Sequence, residues 1–476
     1  MEEKKTRQTR SFTEQFDTIF AFLSLEIIAL TCFGLGGVTG LRILEIVGFF
    51  VSLFTIPFIQ NHFTRKDIKP NLWWLIPLGV TLLVFGFSKF YFTIYSGVNL
   101  TSIVYGLLEI LGLGGFFILG FTVRFITPAK KRYIQYAFFG GLALYCLIVG
   151  LYSFIRYGFF YAAIYNGMYY YYKGVFFPVF SEGKALIGFE FIEVSLRYAC
   201  LSSVLLGCAG AGLIGMKPKE DPRHFAIMAS LTAVGVLYSL LTPFWPALLV
   251  MAIVYVCAGL YHLVRHWTKD SEKAQKGVRK GFTIAYFIFA GLVFLGIIFL
   301  VFESKIHLFS RIFTAVFGRV PGRFANIFTA VDDAVYNGAD NAELGRINFA
   351  SLLFGFSPTF TSTGGIQGHP TSIFEINLLW QNGLLALLGF VFLFFVALKH
   401  GRDYLAEGKE DLPYRLSIVG ALSGIFVYVS LFSDELPLSH GADFMPLSRS
   451  NIMMLMMFLF GLIAMPKKSA EVTQHE

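Results

Sequence analysis

Apolar runs of about 20 residues recur along this whole chain, and each is long enough to cross a hydrocarbon layer about 30 Å thick. No other feature constrains the fold as strongly. Backbone in hydrocarbon has no water to bond to, so runs of this length satisfy themselves as helices. Only 14% of the 476 residues are charged, where an ordinary soluble domain has about 25%. The expected fold class is therefore an all-α polytopic membrane protein forming one integral-membrane domain over 1–476. No soluble domain is expected at either end. No cleavable signal peptide is expected either, because "MEEKKTRQTRSFTEQF" is polar and the first apolar run is a full span.

Twelve spans are predicted, near 16–36, 40–60, 72–92, 102–126, 134–155, 190–215, 225–241, 243–263, 281–302, 372–396, 416–433 and 450–465. The net charge of +8 does not point to nucleic acid, because the basic residues sort by side of the membrane. With the N-terminus inside, the cytoplasmic segments hold 25 of the 38 Lys and Arg, the outer segments nine and the spans four. This bias predicts a multi-pass protein with both termini in the cytoplasm. The five cysteines all fall within apolar runs, without disulfide or metal-ligand spacing, and read as small packing residues.

Two predicted outer loops are long: 156–189, rich in Tyr and Phe, and 303–371, between spans nine and ten. Every predicted cytoplasmic loop is shorter than 20 residues, too short for a nucleotide-sugar domain. Chemistry or recognition is therefore expected at the outer face. The aromatic loop reads first as an interfacial belt, and second as a platform for sugar rings or a lipid tail. The larger loop contains the helical pieces "KIHLFSRIFTAVF" and "GRFANIFTAVDDAVYN", punctuated by Gly and Pro. Its basic residues are Lys305, Arg311, Arg319, Arg323 and Arg346. Arg holds phosphate through a planar fork, so these side chains suit a phosphate-bearing ligand. The plainer reading pairs them with Asp332, Asp333, Asp340 and Glu343. Within the spans, Glu193 and Arg197 stand one helical turn apart, as an ion pair or as an anion site.

Residues 368–385, "GHPTSIFEINLLWQNGLL", begin a span with Glu375, Asn377, Gln381 and Asn382 in its first half. Lipid-facing helices avoid such groups. These side chains are therefore expected to face the protein interior. Ser372 and Glu375 also fit an S-x-x-E capping box at a helix start.

The segment "GRINFASLLFGFSPTFTSTGGIQGHPTSIFEINLLWQNGLLALLGFVFLFF" resembles the signature of the bacterial O-antigen ligase and polymerase superfamily. Arg346, Gly355, His369, Asn382 and Gly383 match its order: an Arg, a short helix, an aromatic-Gly turn, a variable loop, a His and a polar-headed helix. The resemblance implies an inverting, metal-independent glycosyltransferase of the GT-C type, without a cofactor, in the bacterial cytoplasmic membrane. Its donor would be glycan on undecaprenyl diphosphate, and its acceptor a sugar hydroxyl of another lipid-linked glycan. A chain-length regulator or a flippase would be its partner, beside membrane lipid. The resemblance assigns Arg346, with Arg323 or Arg311, to the donor diphosphate, and His369 to the acceptor as base or anchor. Arg197 is a further candidate for the anionic group. Pro370 departs from the family pattern, where Asn or Ser follows the His, and makes Glu375 the substitute base. Three alternatives remain at this stage. One is a ligase delivering glycan to lipid A core or another acceptor. Another is a lipid-linked glycan flippase or transporter, and the last is a peptidoglycan polymerase using Asp332 or Asp333.

Overall fold

The computed structural model describes residues 72–96, 113–121, 123, 128–157, 189–242, 245–268, 271–320, 322–336, 347–355, 373–406, 411–432 and 451–464. Among the described residues the regular structure is helical throughout, with no strand. The helices in chain order are α1 (Leu72–Ser96), α2 (Pro128–Tyr157), α3 (Phe189–Ala209), α4 (Pro222–Leu241), α5 (Trp245–Thr268) and α6 (Glu272–Val301). They continue with α7 (Leu308–Phe317), α8 (Gly322–Tyr336), α9 (Phe349–Phe354), α10 (Phe374–Ala406), α11 (Leu412–Phe432) and α12 (Asn451–Ile463). Six of them, α2, α4, α5, α6, α10 and α11, are long and apolar enough to cross a membrane. The predicted spans 16–36 and 40–60 and the aromatic stretch 158–188 lie outside the described residues.

Helix ends and predicted span ends differ in an instructive way. α6 begins at Glu272, nine residues before the predicted span start at 281, and α10 runs to Ala406 instead of stopping near 396. Hydropathy marks where a chain meets hydrocarbon, while a helix continues into water until a capping group stops it. At α6 that group is Ser271, whose Oγ accepts from the Ala274 N–H at 3.2 Å. At α4 it is Asp221, followed by Pro222 at the first helical position.

α3 is the hub of the packing and touches α2, α4, α5 and α11. Small residues let these backbones approach, as packing in lipid requires in the absence of a hydrophobic drive between helices. A Cβ on Gly235 of α4 would stand 2.7 Å from the Ser203 carbonyl oxygen, and one on Gly420 of α11 would stand 2.5 Å from that of Cys208. Hydroxyls supplement this contact, with Ser239 Oγ donating to Ser203 Oγ at 3.0 Å. α1 lies along α10, where the Trp74 ring meets Phe117, His400 and Phe460.

Two of the helical pieces expected between 303 and 371 are present as α7 and α8, and α9 is a third. Gly318, at φ 70°, ends α7 in the left-handed conformation that glycine adopts without strain. α8 and α9 both pack on α10.

Candidate functional site: the broken start of α10

The polar opening of α10 is inside the protein. Asn377, Gln381 and Asn382 are buried, Asn382 with no exposed surface at all. Glu375 and Asn382 are seven residues apart, two helical turns, and share one face; Asn377 and Gln381 share another. Burial of both polar faces explains why this stretch tolerates chemistry that lipid would exclude. Glu375 Oε1 accepts from the Ser430 hydroxyl of α11 at 2.5 Å. Among the described residues, Glu375 Oε2 and both polar atoms of the buried Asn382 amide have no hydrogen-bond partner. The carboxylate therefore bridges α10 to α11, and the anticipated capping partner Ser372 lies outside the described residues.

α10 is broken at Gly383, whose φ of 83° and ψ of 179° belong to a region that only glycine enters readily. A break of this kind interrupts the i to i−4 hydrogen-bond ladder beside Asn382. The break coincides with a close approach of two backbones. A Cβ on Gly383 would stand 2.3 Å from the Leu353 carbonyl carbon and 2.4 Å from the Phe354 nitrogen. Reciprocally, a Cβ on Gly355 (φ 72°) would stand 2.4 Å from the Gln381 carbonyl carbon and 2.5 Å from the Asn382 nitrogen. Two left-handed glycines, 28 positions apart (383 − 355), thus press backbone against backbone.

α9 is held for this contact. Asn348 Oδ1 accepts from the Ala350 N–H at 3.1 Å and caps the helix, while the Asn348 N–H donates to the Val335 carbonyl of α8 at 2.9 Å. α8, α9 and the first turns of α10 form one unit. Residues 356–372, between α9 and α10, lie outside the described residues.

Of the other predicted site residues, Arg346 and His369 lie outside the described residues. Arg197 and Arg323 have helical backbone on α3 and α8, and their side chains are likewise outside the description. Arg311 is exposed on α7 and, like Arg319, enters no ion pair among the described residues. The structure thus brings together Gly355, Glu375, Asn382 and Gly383. Among the described residues no group of three His, Cys, Asp or Glu side chains is arranged to hold a metal ion.

Sequence reasoning missed a second polar cluster, where α2 and α4 begin. Asp221 Oδ1 accepts from the His224 N–H at 3.2 Å and its Oδ2 accepts from Arg132, while Tyr136 Oη bonds His224 Nδ1. The His224 N–H, then the Arg132 guanidinium, hold the Asp221 carboxyl below its ordinary range against a desolvation that raises it. The sequence signal was the Asp-Pro-Arg start of α4, a helix cap whose distant partner cannot be read locally. It ties the start of α2 to the start of α4. No protein-family model matches this chain, and no curated protein matches it.

Proposed function

We propose that the chain is a twelve-span integral-membrane glycosyltransferase of the GT-C type, with both termini cytoplasmic. It transfers glycan from undecaprenyl diphosphate to a sugar hydroxyl of another lipid-linked glycan at the outer face of a bacterial cytoplasmic membrane. The observation that carries this reading is the reciprocal packing of Gly355 and Gly383. It brings two parts of the segment that resembles the polymerase and ligase signature against each other, at a buried polar helix start. In this proposal the amide of Asn382 orients the acceptor hydroxyl. His369, or Glu375 in its place, takes the hydroxyl proton as the oxygen attacks the anomeric carbon. Arg346 and Arg323, with Arg311 and Arg197 as further candidates, meet the negative charge that develops on the departing diphosphate. Backside attack inverts the anomeric centre.

The broken helix favours a second reading, a lipid-linked glycan transporter, because discontinuous spans line the substrate sites of many transporters. One experiment separates the two. Purified protein is reconstituted with undecaprenyl-diphosphate repeat units, and the lipid-linked products are sized. Longer products, lost in Arg346→Ala and His369→Ala proteins that still fold, support the transferase; translocation without a new glycosidic bond supports the transporter. A ligase would yield product only with a separate, non-lengthening acceptor.

A further inference from the structure

The corner between α6 and α7 carries an apolar surface that no described residue covers. α6 is basic at its start, with Lys273, Lys276, Arg279 and Lys280, and apolar afterwards. The 22 residues from Gly281 to Phe302 span about 33 Å as a helix, which matches the hydrocarbon thickness of about 30 Å. If the basic end of α6 sits at one membrane surface, Glu303 reaches the opposite surface. There the chain turns. A single helical turn, Glu303–Ile306, is followed by His307 at φ 49°, and α7 leaves in a new direction.

The turn is built and held. Glu303 is buried, and its carboxylate accepts from the Phe309 N–H at 3.0 Å, the Ser310 N–H at 2.7 Å and the Ser310 hydroxyl at 2.7 Å. It thereby satisfies donors at the start of α7 that would otherwise be unpaired. α7 is amphipathic, and its apolar arc divides in two. Phe309 and Phe313 pack on Phe328 of α8. Leu308, Ile312 and Val316, four residues apart, form a second strip that faces outward, Ile312 49% and Val316 67% exposed. Lys305, Arg311 and Arg319 are exposed around this strip, and the nearby Glu303 is fully used as a cap.

We infer that α7 is an interfacial anchor. Its Leu308–Ile312–Val316 strip enters the headgroup and acyl boundary of the bilayer, and Lys305, Arg311 and Arg319 contact the phosphates of bulk lipid headgroups. Three observations select this occupant: the register of α6 delivers α7 to the boundary, the strip continues the exposed apolar surface of α6, and the flanking charge complements anionic lipid. The inference stands independently of the transferase reading, and it assigns Arg311 to bulk lipid in place of substrate diphosphate.

The test uses the full-length protein in vesicles of phosphatidylcholine, with and without phosphatidylglycerol. Single cysteines replace Ile312, Thr314 or Val316 in a Cys32→Ser, Cys257→Ser background, because the described cysteines other than Cys257 are buried. Each is spin-labelled, and its accessibility to oxygen is compared with that to a water-soluble nickel chelate. The expected result is an oxygen-to-nickel ratio several-fold higher at 312 and 316 than at 314. Phosphatidylglycerol deepens both sites, and Arg311→Gln with Arg319→Gln abolishes that lipid effect. Equal nickel accessibility at all three positions would overturn the inference, as would shielding from both reagents, which would indicate a protein partner. Loss of product formation in Arg311→Gln protein at unchanged label depth would return Arg311 to the substrate.

Discussion

Two ten-residue helical stretches of this protein have opposite relations to their surroundings. In Phe374–Gly383 the polar residues Asn377, Gln381 and Asn382 are buried, and the helix breaks where it meets another backbone. In Leu308–Phe317 no residue is buried; Ile312, Val316 and Phe317 are exposed, and the helix is unbroken. A water-soluble protein would have placed these residues the other way round. The difference shows what organises the molecule. Its outer surface is matched to lipid, and the polar groups it spends inside have no role in meeting solvent. Polar burial without complete satisfaction costs stability, while apolar exposure here is the ordinary condition of a membrane helix.

The comparison breaks most severely at the two glycines. Gly383→Ala and Gly355→Ala each add a Cβ into backbone at 2.5 Å or less and force a side chain into a left-handed conformation. Strain and overpacking together are expected to cost about 3 kcal/mol or more, seen as loss of monodisperse protein or a lower thermal midpoint in detergent. Gly291→Ala on α6, which has nothing within 4 Å of the new Cβ, is the control and leaves the midpoint unchanged. Because each glycine packs on the backbone next to the other, the two sites couple and the double variant costs less than the sum of the single ones.

Next in size is the effect of emptying the helix start of its polarity. Asn382→Leu removes two buried, unpartnered groups at similar volume, so stability holds or rises by about 1–2 kcal/mol. Activity is expected to be lost. A protein that became unstable would show that Asn382 is held by partners and has a structural role.

The exposed helix is expected to be sensitive at its cap. Glu303→Ala leaves the Phe309 and Ser310 donors unpaired and destabilises the corner by about 1–2 kcal/mol, read as faster hydrogen exchange over α7 while α10 is unchanged.

The smallest effect belongs to the Arg132–Asp221 clamp, whose side chains are each 41% exposed. The folded carboxyl sits below its unfolded value, so its contribution is fully present above an ordinary Asp pKa of about 3.9. That contribution falls away as pH drops through the lower folded value. Asp221→Asn should lower the midpoint slightly at neutral pH and flatten its decline in acid.

Much of the helical layout was legible in the sequence, because hydropathy reports directly on which segments lipid will accept. The polar start of α10 was legible for the same reason, as an exception to that rule. The break at Gly383 was not. "QNGLL" reads as a helix with one tolerated glycine, and the backbone that forces it open arrives from Gly355, a contact with no local signature. Glu375 illustrates the same limit. Its bond to the Ser430 hydroxyl, 55 residues away, has no local signature, and Ser372, its expected capping partner, lies outside the described residues. Glu303 caps α7 from six and seven residues upstream, outside the usual cap spacing, because His307 folds the chain back.

The buried polar start of α10 as the place of glycan transfer is tested most directly by one assay. Wild-type and Asn382→Leu proteins, shown to have the same thermal midpoint, are incubated in lipid vesicles with undecaprenyl-diphosphate repeat units, and the lipid-linked chains are sized. Longer chains from the wild type and none from Asn382→Leu is the predicted result. The same distribution of chains from both proteins would contradict it.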